Sequence, residues 1–317
     1  MTENEPELKK EELKQLLNEK LENLKELENF GKNSNYIKEL SDIALIQLQL
    51  EEFREAEENY LICLDHFRKQ KDRLGQAAVY GVLGILYYKK GDFQKSIKSY
   101  EDAYNIYNEL KQIQEQITCL KGIGNSYLKL NQFDEACDKF LDCSAICSDN
   151  NDIYNLLDCL GNLIYIHEIN EKWDVVFELY KKSLKAFKEI NDAKGIITSS
   201  FNLGILLKRE DNLEEALRYF KNGTNVAIDA NFAEFIIRGF SYVGETLFYM
   251  GLLKEAKNQF IKALHIAKKV EAENAIIQIN ILLQSLGLQD KNIIEELKEY
   301  EKTKNELIQK KSNNSTI

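Results

Sequence analysis

The chain has 317 residues, with 42 lysines and arginines against 52 aspartates and glutamates and a net charge of −10. That acidic balance argues against nonspecific nucleic-acid binding, which draws its affinity from a basic stripe. Hydrophobic residues make up 44% of the chain and proline occurs once, at Pro6, so a core can form without helix breakers in the interior and an all-α protein is expected.

In chain order, the N-terminal stretch MTENEPELKKEEL lacks the apolar segment of a signal peptide. No stretch reaches the roughly eighteen consecutive apolar residues of a membrane span. A cytoplasmic chain with no membrane association is therefore expected. Residues 6–30 carry Leu13, Leu16, Leu17, Leu21 and Leu24 at heptad-like spacing among charges, which predicts an N-terminal capping helix within residues 1–35.

From 36 to 271 a forty-residue register takes over. Its anchor is an aromatic column, Tyr60, Tyr100, Phe140, Tyr180, Phe220 and Phe260, with no insertion or deletion between the first and the last. Aromatics are 10% of the chain, so chance fills six fixed positions with odds on the order of one in a million. Four residues earlier stand Ala56, Ser96, Ala136, Val176, Ala216 and Ala256; sixteen earlier stand Ala44, Gly84, Gly124, Ile164, Gly204 and Gly244. Small residues at fixed sites predict close helix approach, so each repeat reads as two packed antiparallel helices.

Phe53, Phe93, Phe133, Trp173, Leu213 and Leu253 are expected to open the second helices. Turns within pairs are signalled by Gly91-Asp92, Asn131-Gln132, Asp211-Asn212 and Gly251, and turns between pairs by Asn150-Asn151, Asn191-Asp192 and Asn231. Residues 272–310 continue the register weakly, with Leu283, Ile293 and Tyr300 in column positions, and are expected to form a degenerate seventh pair or C-terminal cap. Residues 311–317 read as a disordered tail.

The columns of YGVLGILYYKKGDFQKSIKSYEDA, Tyr80 to Ala103, resemble the tetratricopeptide repeat, and the resemblance spans about residues 36–268. Two features depart from the commonest form. The period is forty rather than about thirty-four. Arg68, Asn108, Ser148, Lys188, Ile228 and Lys268 stand where a proline usually ends the second helix. The helices are expected to be longer accordingly. This form resembles the repeats of kinesin light chains, of mitotic spindle-orientation adaptors and of bacterial peptide-pheromone sensors, which bind peptides or partner proteins. The resemblance implies a right-handed α-solenoid of six to seven helix pairs with capping helices. It also implies an interaction scaffold or adaptor whose first helices line a concave groove.

Counting along those first helices places Lys38, Lys89, Lys121, Lys129, Lys208, Arg209 and Arg238 on the lining face, against Asp42, Asp158, Glu168 and Glu245. Asn125, Asn162, Asn202, Tyr88, Tyr165, Phe201, Tyr242 and Tyr249 join them. Seven cations against four anions reverse the sign of the whole chain. Such a surface suits an extended acidic peptide or a C-terminal carboxylate, because amides grip a peptide backbone and cations pair with carboxylates. Within it, Leu120 to Phe140 resembles the start of a dicarboxylate clamp: Lys121, Asn125 and Asn162 match three clamp positions. The match stops at Thr198 and Asn202, where the clamp would place a lysine and an arginine.

No nucleotide loop, nucleophile elbow or zinc-protease motif occurs, and His66, His167 and His265 lie in different repeats. No enzyme activity and no cofactor are expected. The cysteines Cys63, Cys119, Cys137, Cys143, Cys147 and Cys159 form no CxxC pair and read as small buried apolar residues rather than metal ligands. Two other readings remain at this point: a peptide-sensing regulator acting on a separately encoded effector, and a structural protein that self-associates through its end helices.

Overall fold

A computed structural model describes residues 5–314 and the side chains of residues 10–306. Among the described residues the regular structure is helical: α1(Glu5–Glu28), α2(Ser34–Gln49), α3(Phe53–Lys69), α4(Arg73–Lys90), α5(Phe93–Glu109), α6(Ile113–Lys129), α7(Phe133–Asp149), α8(Ile153–Ile169), α9(Trp173–Glu189), α10(Ala193–Arg209), α11(Leu213–Asp229), α12(Ala233–Tyr249), α13(Leu253–Lys269), α14(Glu273–Ser285) and α15(Asp290–Asn314). Helices from α3 to α13 run 17 residues, with α4 one longer, so two helices and two short turns fill the forty-residue period. The second helices α3, α5, α7, α9, α11 and α13 each begin on the expected bulky residue, from Phe53 to Leu253.

The turns repeat at half the sequence period. Glu51, Lys71, Gly91, Lys111, Asn131, Asn151, Glu171, Asn191, Asp211, Asn231, Gly251 and Glu271 all have left-handed φ between 53° and 84°, one every twenty residues. Each follows a helix end in the arrangement seen after α5, where the Lys111 N–H donates to the Asn108 carbonyl and the Gln112 N–H reaches back to Tyr107 at 2.9 Å. That pattern satisfies the last carbonyls of one helix and redirects the chain into the next. Several of the following helices then start on a side-chain cap: Asp72 accepts from the Gly75 N–H, Asp92 from Lys95 and Asp192 from Gly195.

The chain divides into two compact units, Met1–Ile166 and His167–Ile317. In the first, α1 lays Leu13, Leu17, Leu21 and Leu24 against Ile43, Ile46 and Leu50 of the first repeat. Behind that contact, Tyr60, Tyr100 and Phe140 are buried to within 7% exposure. In the second unit one apolar cluster runs from Ile197 to Leu297 and includes Phe220 and Phe260.

The packing of the small columns refines their sequence reading. A Cβ on Gly84 would lie 2.8 Å from the ring of Tyr100, on Gly124 2.8 Å from Phe140, on Gly204 2.6 Å from Phe220 and on Gly244 2.5 Å from Phe260. The missing side chain therefore admits the aromatic ring of the same repeat, rather than a neighbouring backbone. The second small column, from Ala56 to Ala256, is fully buried throughout. Its one hydroxyl, Ser96, donates to the Gly84 carbonyl at 2.8 Å and meets Ser126 at 3.0 Å.

At the C-terminal end, Leu283 and Ile293 are buried and Tyr300 packs against the same cluster. The helix α15 continues through Asn314, so residues 311–314 are helical rather than the disordered stretch expected; residues 315–317 lie outside the described residues.

Candidate peptide-binding surfaces

In the first unit the positions expected to line a surface fall on α2, α4, α6 and α8, with Lys38 on α2. Tyr88 and Lys89 end α4, Lys121, Asn125 and Lys129 follow along α6, and Asn162 and Tyr165 lie on α8. Tyr88 meets Phe93 edge-on at 5.5 Å, whereas Tyr165 is 52% exposed. Lys89 and Lys129 are exposed.

Two of the three residues that resemble a dicarboxylate clamp, Lys121 and Asn162, are engaged inside the protein. The Lys121 ammonium pairs with Asp158 at 2.5 Å and donates to Asn155 at 2.9 Å. The Asn162 amide donates to the Asp158 carbonyl at 3.0 Å. Burial works against the charged Lys121, but its bond and charge contact with Asp158 outweigh that cost and hold its pKa above the ordinary lysine value. A carboxylate arriving at Lys121 has to displace one already there.

The second unit shows the same self-pairing. Lys208 donates to Glu245 at 2.7 Å and sits 5.0 Å over the Tyr249 ring. Arg238 pairs with Glu234 one turn away, and Arg209 stacks 4.3 Å above Trp173. Asn202 is half-buried on α10 and Tyr249 stands 64% exposed at the end of α12. Phe201 does not line a surface: it is 3% exposed and packs against Phe220 and Tyr242. Its place beside Gly223 and Gly239 explains the burial, since an added Cβ on either glycine would meet its ring or its neighbour.

Tyr242 has two faces. Its ring packs 5.0 Å from Phe220 and 5.4 Å from Phe201, and its other side lines an open groove between α12 and α14 of about 730 Å³. Ile237 and Ile279 form the buried floor; Ala275, Ile281 and Leu282 make the α14 wall. Arg238, Ser241 and Glu245 supply polar groups on the α12 side. Sequence reasoning counted Arg238 and Tyr242 among the lining residues of the first helices but did not foresee this groove or its α14 wall. The signal was present: Ala275, Gln278, Ile281 and Leu282 stand forty residues after Phe235, Arg238, Ser241 and Tyr242, so the register predicts the opposite side of the groove.

The histidines are dispersed on α3, α8 and α13. Burial lowers the pKa of His167, with the Lys172 charge adding to it. The His265 ring contacts Glu301 at 3.2 Å through Nδ1 and the Lys304 ammonium at 3.0 Å through Nε2. An ammonium only donates, so Nε2 is the acceptor and the proton sits on Nδ1. This pairing joins α13 to α15.

Residues 39–109 match the family model described as tetratricopeptide repeat. Over that segment the chain is similar to the tetratricopeptide repeat. The match covers the first helix pairs, and the same register and turn geometry recur through residue 271. A comparison with curated proteins returns no match. Among solved structures, the chain is similar to BtubC (BKLC) from P. vanneervenii at 16% identity and TM-score 0.46, with 68% of this chain and 90% of that chain covered. The apo form of RapI follows at 13% identity and TM-score 0.49, covering 82% and 99%. Aspartyl phosphate phosphatase F from Bacillus subtilis gives 15% identity and TM-score 0.49, covering 92% and 86%. No described helix is long and apolar enough to cross a membrane.

Proposed function

We propose that this chain is an interaction scaffold that captures an extended peptide segment of a partner protein on its first helices, with the α12–α14 groove as the anchoring site. The observation that carries this reading is the groove's composition. An apolar floor of Ile237 and Ile279 lies beside a guanidinium, a hydroxyl and a tyrosine edge, all within one unit. Apolar grooves with a few oriented polar groups bind side chains of extended ligands, the apolar part supplying affinity and the polar part register.

The occupant that fits is a peptide with an apolar anchor followed by an acidic residue. The anchor covers Ile237 and Ile279, and the carboxylate takes Arg238 from Glu234. That exchange trades one exposed ion pair for another, so the acidic residue contributes orientation more than affinity. Along the first unit, Lys89, Lys129 and Tyr165 offer exposed charge and a flat apolar surface to an acidic segment, and Asn125 its amide. Lys121 and Asn162 join only if Asp158 yields.

Selection from a random dodecapeptide display library tests the reading. Selected peptides are expected to share an apolar residue next to Asp or Glu. They should lose at least about tenfold in affinity, roughly 1.4 kcal/mol, on binding Ala275→Trp, which fills the groove. A library that yields no binder, or binders indifferent to both Ala275→Trp and Arg238→Glu, counts against it.

A further inference from the structure

The register contains a set of internal comparisons for three buried cysteines. Cys143 and Cys147 stand one turn apart on α7, and Cys159 lies on α8. All three are fully buried, and their sulfurs lie within 4.8 Å of one another. The same three positions hold Cys63, Phe67 and Val79 in the first repeat and Ser183, Phe187 and Ser199 in the fourth. In the fifth they hold Gly223, Ala227 and Gly239, and no other repeat carries more than one cysteine there. Packing this junction of helices thus requires no particular residue, and cysteine at all three places is a property of the α7–α8 junction alone.

We propose that Cys143, Cys147 and Cys159 form a binding site for a monovalent copper ion held by three thiolates. A metal with bonds of roughly 2.3 Å to each sulfur sets the sulfurs about 4 Å apart, so the observed cluster closes on the ion with shifts of well under an ångström. The donor set is entirely soft sulfur, which selects Cu(I) over harder cations. Zinc takes four ligands in structural sites, and among the described residues no further His, Cys, Asp or Glu joins the group. Binding releases the thiol protons to solvent, including the one Cys143 directs at the Ile117 carbonyl. The cluster then carries net negative charge, and the Lys121 ammonium interacts electrostatically with both Cys143 and Cys159. The buried sulfurs load through local opening of the α7–α8 pair, so binding is slow and is read at equilibrium.

The test is an anaerobic titration of the reduced full-length protein with Cu(I) against a chromogenic Cu(I) chelator. One ion per chain is expected, with three sulfur neighbours by X-ray absorption. Cys159→Ser should weaken binding by about a hundredfold or more. Cys119→Ser, the same register position one repeat earlier, should leave it unchanged. Both variants are expected to fold, since Ser199 occupies that position in the fourth repeat, and circular dichroism checks this. Equal copper affinity in Cys159→Ser and the unaltered protein overturns the site. So does a reduced protein that fails to compete with the chelator, or one that prefers Zn(II) with a fourth ligand.

Discussion

At the scale of single residues, the turns at Glu51, Lys71, Lys111, Glu171 and Glu271 hold conformations that their side chains did not announce. Lys111 adopts φ of 56° with its side chain exposed, a region that costs an L-residue about 1–2 kcal/mol relative to glycine's free access. Lys111→Gly removes that strain and adds some unfolded-state entropy, so a net gain of up to about 1 kcal/mol is expected. Urea denaturation checks it, and a loss of stability would contradict the assignment of strain.

The aromatic column carries a second residue-scale consequence. Burial raises the phenol pKa of Tyr60, Tyr100 and Tyr180, with smaller charge contributions from neighbours. In the unfolded chain these groups ionise near pH 10. A native pKa raised above the unfolded value gives stability that is complete below about pH 10 and is lost as pH rises toward the native values. Tyrosinate absorbance from these residues is therefore expected to appear together with helix loss. Ionisation of the full set before any change in ellipticity would show that the column is not buried.

At the scale of elements, the unit is a glycine on the first helix facing a ring on the second. Gly244→Val places its side chain against Phe260, and overpacking of this kind costs about 2 kcal/mol. Adding Phe260→Leu is expected to recover part of the loss, because the clash is with the ring; no recovery in a double-mutant cycle would mean that the glycine serves something else. The helix pairs and their boundaries were legible because the same columns recur in every repeat: the second helices begin where Phe53 through Leu253 predicted. The turns at Gly91, Asn131 and Asp211 were legible from residues that tolerate left-handed φ. Those at Glu51, Lys71, Lys111, Glu171 and Glu271 were silent by type and could be read only by carrying the twenty-residue spacing across.

At the scale of the whole molecule, the register was easier to read than the surface it displays. Counting from Tyr60 placed Lys121, Lys208 and Arg238 on the first helices. It could not show that Asp158, Glu245 and Glu234 answer each of them, since side-chain pairing depends on local geometry that spacing does not encode. The apparent excess of cations is therefore smaller than the sequence suggests. The irregular fourth repeat, with Ile164 and Val176 in the small columns, coincides with the division of the chain after Ile166, while the groove between α12 and α14 lies further on.

Hydrogen exchange on the full chain, with and without a library-selected peptide, measures capture at that groove most directly. Added protection is predicted in residues 233–249 and 270–285, and the Ala275→Trp variant should show none. Protection confined to helices elsewhere, with α12 and α14 unchanged, would contradict the proposal that this groove anchors the partner.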